Sequence, residues 1–239
     1  MLECGSNLFC FKLRLRKKDI MKICFAPIFA IAVFMPCADA GFVNPLSPSW
    51  RATAGTQYLG WENFASAYGG ANLPDVIGSN NLGALYNFGA GAVLTSTQNI
   101  YGTTGPLFIS MLGGMATASK NPLEVVLNVS AAGSVIDLNS IALTLMDNGG
   151  GVLRLNPRLT EIRSDQPFSF GGRVQTLAFS WNLQPNLIAA TQWQINISST
   201  GPNTSLDAVS LDMNFIPTPG ALSVLAMLGG GVNCGRRRL

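Results

Sequence analysis

The sequence contains no histidine, and none of its five cysteines lies between residues 41 and 215. The cysteines are confined to the two ends of the chain, at Cys4, Cys10, Cys24, Cys37 and Cys234. The central region therefore lacks the commonest general base, a thiol nucleophile and cysteine ligands for a structural metal. Because it also lacks disulfides, its stability depends on a hydrophobic core, and about 175 residues are enough to bury one.

Charged residues are scarce, at 11% of the chain. Six of the 15 Lys and Arg precede residue 41 and three lie at 236–238, so the central region keeps six basic and nine acidic residues. The formal charge of +3 for the whole chain thus belongs to its ends, and the centre is close to −3. Six scattered basic residues do not form the cluster that a nucleic-acid surface requires, so no nucleic-acid partner is predicted.

A secretory signal peptide is predicted within residues 1–40. Lys22, after a second methionine at Met21, is followed by an apolar stretch over residues 23–35. A small-x-small cleavage site comes next, and we expect cleavage after its last residue. The cleavage-site residues are Ala38, Ala40 and Gly41. Residues 1–20 are then either an extended basic region or sequence upstream of the true start.

Two other interpretations of the N-terminus are an uncleaved anchor and a lipoprotein acylated at Cys37. Pro27 and Pro36 interrupt and end the apolar stretch, which disfavours the anchor. The residues before Cys37 lack the leucine and the small residue of a lipobox.

Residues 41–215 are predicted to form an all-β domain, a two-sheet antiparallel β-sandwich. Five segments alternate apolar and polar residues, which is typical of strands with one buried face: 123–129, 141–145, 176–183, 192–198 and 208–215. Glycine-rich turns separate them, and shorter strands are expected at 91–96, 105–112 and 151–155. A short helical turn is expected at 62–67. Eight to eleven strands favour a jelly-roll-like topology on size, with an immunoglobulin-like sandwich as the alternative.

The central acids do not cluster in a pattern that predicts catalysis. They are Glu62, Asp75, Glu124, Asp137, Asp147, Glu161, Asp165, Asp207 and Asp212. We expect Glu124 and Asp212 to be solvated on the polar faces of their strands. Oxygens at Asp147–Asn148 and between Asn203 and Asp207 are candidates for a structural calcium ion, although no EF-hand spacing is present. No catalytic residue, metal site or cofactor is predicted.

Aromatic residues are the other candidates for a binding function. Six lie in the irregular first half, where loops could present them to a sugar: Trp50, Tyr58, Trp61, Tyr68, Tyr86 and Tyr101. For Trp61, packing in the core or at a sheet edge is the favoured interpretation over a saccharide contact. Trp181 and Trp193 are expected in the core. Three Asn-x-Ser/Thr sequons, at Asn128, Asn196 and Asn203, are attributed to chance.

The last residues, 216–239, have three parts. A proline and glycine break comes first, then an uncharged apolar run, then an arginine cluster, and the residues that define the pattern are Pro217, Thr218, Pro219, Gly220, Arg236, Arg237 and Arg238. The apolar run is short for a membrane-spanning helix but sufficient with its flanks. The arginines would remain in the cytoplasm. The alternative is a buried C-terminal helix or strand with a solvated basic end.

This tail resembles the PEP-CTERM sorting signal of exported bacterial proteins, with Pro217-Thr218-Pro219 at the position of the usual Pro-Glu-Pro. The resemblance covers about the last tenth of the chain. It implies export, transient anchoring by the C-terminal helix and processing by an exosortase-like membrane enzyme. It also implies a place at the cell surface or in an extracellular matrix that contains exopolysaccharide.

Two functions remain open from the sequence. The first is an exported, non-enzymatic surface or matrix protein, whose partners are the export machinery, the exosortase-like enzyme and polysaccharide. The second is a carbohydrate-binding module or a weak glycan-active enzyme. The sequence does not specify the ligand.

Overall fold

The computed structural model describes residues 41–76, 78–80, 82–115, 122–168, 171–183, 188 and 190–215. These residues form twelve β-strands and no helix, so the prediction of an all-β domain is confirmed. They contain no helix of the length and apolar character needed to cross a membrane. The predicted signal peptide, with Ala38 and Ala40, and the predicted sorting tail, residues 216–239, lie outside the described residues.

The strands form two antiparallel sheets. The first has seven strands in the order β3-β4-β12-β6-β10-β9, and β1 also pairs with β12. Its strands are β1 (Thr56–Trp61), β3 (Ala92–Leu94), β4 (Ile100–Gly102), β6 (Glu124–Gly133), β9 (Leu159–Pro167), β10 (Arg173–Asn182) and β12 (Thr204–Asn214). The second sheet has five strands in the order β2-β5-β11-β7-β8. They are β2 (Gly83–Asn87), β5 (Phe108–Gly114), β7 (Ile136–Asp147), β8 (Val152–Leu155) and β11 (Ala190–Ser199).

The last strand, β12, lies at the middle of the first sheet. It pairs with β6 along one side, and on its other side it pairs first with β4 and then with β1. Its register with β6 shifts between Leu206 and Ala208, which makes Asp207 the extra residue of a β-bulge. Because β12 has neighbours on both sides, its backbone is paired along most of its length, with an interruption at the bulge.

One hydrophobic cluster contains buried residues of both sheets. Three tryptophans are its largest members, and each indole donates a hydrogen bond to a backbone carbonyl: Trp61 to Asn72 at 2.9 Å, Trp181 to Leu155 at 3.1 Å and Trp193 to Gly114 at 3.0 Å. The core positions predicted for Trp181 and Trp193 are confirmed, since they are 1% and 0% exposed.

The five alternating segments all form strands, β6, β7, β10, β11 and β12, and each strand is longer than the segment predicted for it. The shorter predictions correspond to β3, β5 and β8. Strands β1, β2, β4 and β9 were not predicted, so the total exceeds the expected eight to eleven. The helical turn expected at 62–67 is wrong, because this segment is a loop in which Asp75 accepts hydrogen bonds from the Glu62 and Asn63 amides.

Candidate functional site

The outer face of the first sheet is covered by the segment that follows the predicted cleavage site. We call residues 41–51 the N-terminal strap. The Val43 amide donates to Thr176 Oγ1 at 3.1 Å, and the Leu46 amide donates to Asn128 Oδ1 at 2.7 Å. Asn128 Nδ2 donates back to the Leu46 carbonyl at 3.1 Å. The polar side chains beneath the strap are therefore buried but bonded, as buried polar groups generally are.

An ion pair connects the last residue of the strap, Arg51, to the first sheet. Arg51 donates to both oxygens of Asp212 at 2.6 Å, and the guanidinium lies 4.6 Å from the ring centre of Tyr58. The Asp212 side chain is 0% exposed and that of Arg51 is 28% exposed. Burial raises the pKa of Asp212, while the hydrogen bonds and charge of Arg51 oppose the shift. The prediction of a solvated Asp212 is thus wrong, because the strap covers the face on which this residue lies.

A concave site opens beside the strap, and we call it the outer groove. Its volume is about 890 Å³. Its walls include Val43 of the strap, Asn99 and Tyr101 at β4, Phe168 after β9, and Ser205 and Asp207 of β12. Asp207 is the only charged side chain among the described residues that line it. The outer groove therefore combines apolar surface with uncharged hydrogen-bonding groups and a single acid.

Strand pairing brings the polar groups of the outer groove together. Strands β4 and β12 pair in the register Tyr101↔Ser205 and Ile100↔Leu206, which sets Asn99 opposite Asp207. Asn99 Nδ2 donates to Asp207 Oδ1 at 2.6 Å, and Ser205 Oγ donates to the same oxygen at 2.7 Å. Burial raises the pKa of Asp207, and these two hydrogen bonds counter it only in part.

The side-chain carbonyl oxygen of Asn99 accepts no hydrogen bond from the described residues. The residue is 8% exposed, and its Oδ1 is buried without a hydrogen-bond partner. It is the only such side-chain atom among the described residues. A buried acceptor without a donor costs about 1–3 kcal/mol, so the place of Asn99 in the wall of the outer groove makes it a candidate partner for a ligand donor.

Two glycines shape the end of the outer groove. Gly133 ends β6 with φ +94°, and a Cβ there would collide with the carbonyl oxygen of Asn203. Gly172, with φ +84°, approaches the Gly133 carbonyl in the same way. Side chains at either position would force these turns apart.

The calcium candidates do not form one site. Asp147 Oδ1 accepts the amides of Gly149 and Gly151 at 2.8 and 2.7 Å, and Asn148 Oδ1 accepts from Thr191 Oγ1 at 2.9 Å, so these groups close the β7–β8 turn. Within the described residues no three acidic, histidine or cysteine side chains gather as metal ligands.

Three of the other acids each have a bonded partner of their own. Glu161 bonds Arg163, Asp165 bonds Arg173, and Asp137 accepts the Asn139 amide. In glycosidases two carboxyls flank the bond that is cleaved. The outer groove presents only one among its described residues.

The predicted set of loop aromatics is not one surface. Trp61 is 0% exposed, so the saccharide contact considered for it is wrong and its core packing is confirmed. Tyr58 lies against Arg51, and Tyr68 is 58% exposed elsewhere. Only Tyr101 of the six is at the outer groove, where its hydroxyl donates to Asn203 Oδ1 at 3.0 Å.

The outer face of the second sheet is open. Tyr86 stacks on Phe88 with ring centres 5.9 Å apart, and Phe108 is 51% exposed beside them. Gln194 donates to Ser110 and to Asn196, both at 3.0 Å, so the amides of this face bond one another. We call this surface the aromatic face.

From the sequence, Tyr101 was a candidate for sugar binding, and Asn203 and Asp207 were candidates for calcium binding. Neither Asn99 nor the N-terminal strap was predicted.

No model of a known protein family matches the chain, and searches of curated proteins and of solved structures found no significant similarity.

Proposed function

We propose that this chain is an exported, non-enzymatic protein of the cell surface or extracellular matrix. Signals at both ends support this proposal: the signal peptide with its site at Ala38, Ala40 and Gly41, and the tail that resembles PEP-CTERM signals. The export machinery and an exosortase-like enzyme are its processing partners, and the C-terminal helix anchors it in the membrane until processing.

The domain between the signals is a jelly-roll β-sandwich in this proposal. Strand order supports the assignment, since β4-β12-β6-β10 in one sheet accompany β5-β11-β7-β8 in the other. Successive strands from β4 to β8 and from β10 to β12 thus mostly alternate between two four-stranded layers, as in a jelly roll with extra edge strands. The single hydrophobic cluster that contains residues of both sheets is consistent with face-to-face packing.

The observation that carries the non-enzymatic assignment is the composition of the outer groove. It offers hydroxyls, amides and one carboxyl, and among its described residues there is no second acid and no base. Such a surface can hold a ligand by hydrogen bonds, but it lacks the acid and base pair that hydrolysis of a glycosidic bond requires.

The test is the intact mass and the location of the native protein. We expect a product that begins at Gly41, lacks Arg236, Arg237 and Arg238, and is found in the envelope or extracellular fraction. Cleavage after Ala40 would leave the strap whole, and the carbonyl of its first residue, Gly41, accepts from Ser130 Oγ at 3.5 Å. A cytosolic product that retains Met1 and the arginines would overturn the proposal.

The second candidate is a carbohydrate-binding module, or a weak glycan-active enzyme on the same fold. The outer groove with Tyr101 at its wall favours the binding module. Incubation of the mature protein with glycans separates the two forms of this candidate, because only an enzyme would release new reducing ends.

A further inference from the structure

We propose that the outer groove binds a neutral, hydroxyl-rich saccharide, whose hydroxyls donate hydrogen bonds to Asp207 and Asn99. The inference rests on the proposed role of an exported surface protein, and it names the ligand class and the residues of one site.

The outer groove has more acceptors than donors. Both hydrogen bonds to the Asp207 carboxyl reach Oδ1, so Oδ2 is left for a further donor. Asn99 Oδ1 has no donor at all, although the residue is buried in the wall. A ligand that completes this site must therefore bring hydrogen-bond donors. Saccharide hydroxyls do so, whereas the Ser130 and Ser134 hydroxyls of the same groove already donate to the Gly41 and Pro202 carbonyls.

A calcium ion does not suit the same groups. It requires six to eight oxygens. Asp207 Oδ1 already accepts two donors, and Asn203 Oδ1 accepts from the Tyr101 hydroxyl. These oxygens are organised by hydrogen bonds, which points to a hydrogen-bonding ligand.

The charge and the shape of the outer groove limit the class of ligand that it can bind. No lysine or arginine is among the described residues that line it, and Asp207 would repel an acidic polysaccharide, so the ligand is neutral. The volume of about 890 Å³ is within the usual range for small-ligand sites. Val43, Phe168 and Val174 supply apolar surface for the faces of sugar rings.

The experiment is calorimetric titration of the mature protein, purified from the cells that export it. The probes are neutral hexasaccharides of cellulose, xylan and mannan, tested at up to millimolar concentration. Asp207→Asn and Asn99→Leu are compared with two matched controls outside the outer groove, Glu62→Gln and Asn196→Leu, whose residues are an exposed acid and an exposed amide.

We expect at least one probe to bind. Asp207→Asn and Asn99→Leu should each weaken its Kd at least tenfold, because each removes an acceptor that a hydroxyl needs. The controls should stay within twofold, and added salt should change the wild-type Kd little, since the ligand is uncharged. Hydrogen exchange should slow on saccharide addition at residues 99–101 and 203–207.

Three results would overturn the inference. They are the absence of binding by every probe, equal binding by wild type and Asp207→Asn, and loss of binding in EDTA, which would assign the site to a cation. If Asn99→Leu does not fold, saccharide binding by Asp207→Asn and Tyr101→Phe is measured instead. The melting temperature of each variant shows whether it is folded. The proposed export and surface location are measured separately by intact mass, so a failure of that proposal can be distinguished from a failure of saccharide binding.

Discussion

Strands β11 and β12 have the same kind of sequence and different surroundings. Both alternate large apolar residues with Ser, Asn, Gln or Asp. In β11 the alternate side chains Gln192 and Asn196 are exposed, as the pattern predicts. In β12 Ser210, Asp212 and Asn214 are 2%, 0% and 5% exposed, and the N-terminal strap bonds Asp212 directly and Asn128 beside Ser210. The comparison shows that a polar strand face is not always a solvated one.

The two faces also use their polar groups differently. Under the strap, Asn128 and Asp212 bond partners that are 82 and 161 residues away in sequence. On the aromatic face, Gln194 donates to Asn196 and to Ser110 of the adjacent strand. The first face is held by a distant segment, whereas the second is complete within its own sheet.

The largest expected effect comes from Arg51→Met, which leaves the Asp212 carboxylate buried without its cation. We expect a loss of about 3–5 kcal/mol in the free energy of unfolding, measured by urea denaturation. The double variant Arg51→Met, Asp212→Asn removes the unpaired charge and should recover most of this loss. Asn196→Ala on the open face is the control and should change stability by less than about 0.5 kcal/mol. If Arg51→Met and Asn196→Ala changed the free energy of unfolding equally, the covered face would not be stabilised by the strap.

The second prediction concerns pH and Asp207. Because its pKa is raised in the folded state, the protonated carboxyl favours folding, and this contribution is lost as the pH rises through the raised value. The melting temperature of wild type relative to Asp207→Asn should therefore decrease as the pH rises from about 4 towards neutrality.

Asp165 supplies a control of opposite sign for this prediction. The hydrogen bond from Arg173 lowers the pKa of Asp165, so the ionised carboxyl favours folding and its contribution is lost as the pH falls. Relative to Asp165→Asn, wild type should gain stability as the pH rises. A melting-temperature difference for Asp207 that rises with pH, as expected for Asp165, would contradict the burial of Asp207.

The smallest effect is expected on the open face. Phe108 is 51% exposed, so Phe108→Gln removes only the buried half of the side chain and should lower the free energy of unfolding by about 1 kcal/mol. A loss above about 2 kcal/mol would mean that this face is covered in solution. Thermal denaturation at several protein concentrations would then distinguish self-association from a local contact.

Period-2 alternation was sufficient to predict β6, β7, β10, β11 and β12, because their inward residues form the core. It failed for β1, in which Gly60 interrupts the pattern, and for β9, an edge strand whose Leu159 and Ile162 are exposed. The strap has no periodic signal at all. Its partners are distant in sequence, so only the folded chain reveals them.

The candidate site was predictable only in fragments. Asp207, Asn203 and Tyr101 stood out by residue type, but nothing local joins the last of these to the other two. The register of β4 on β12 brings them together, and it also places Asn99, which carries no signal in the sequence. A two-residue difference in that register would have separated Asn99 from Asp207.

The strap has a consequence for the order of assembly. Its partners, Asn128, Thr176 and Asp212, come 82, 133 and 161 residues after the groups that they bind. In a chain that is translocated amino terminus first, the earliest segment to emerge must wait for nearly the whole domain before it can dock. If the proposed export is correct, folding would finish only when Asp212 has emerged, a few residues ahead of Pro217, so the last ion pair of the strap would form at almost the same moment as the predicted sorting tail reaches the membrane.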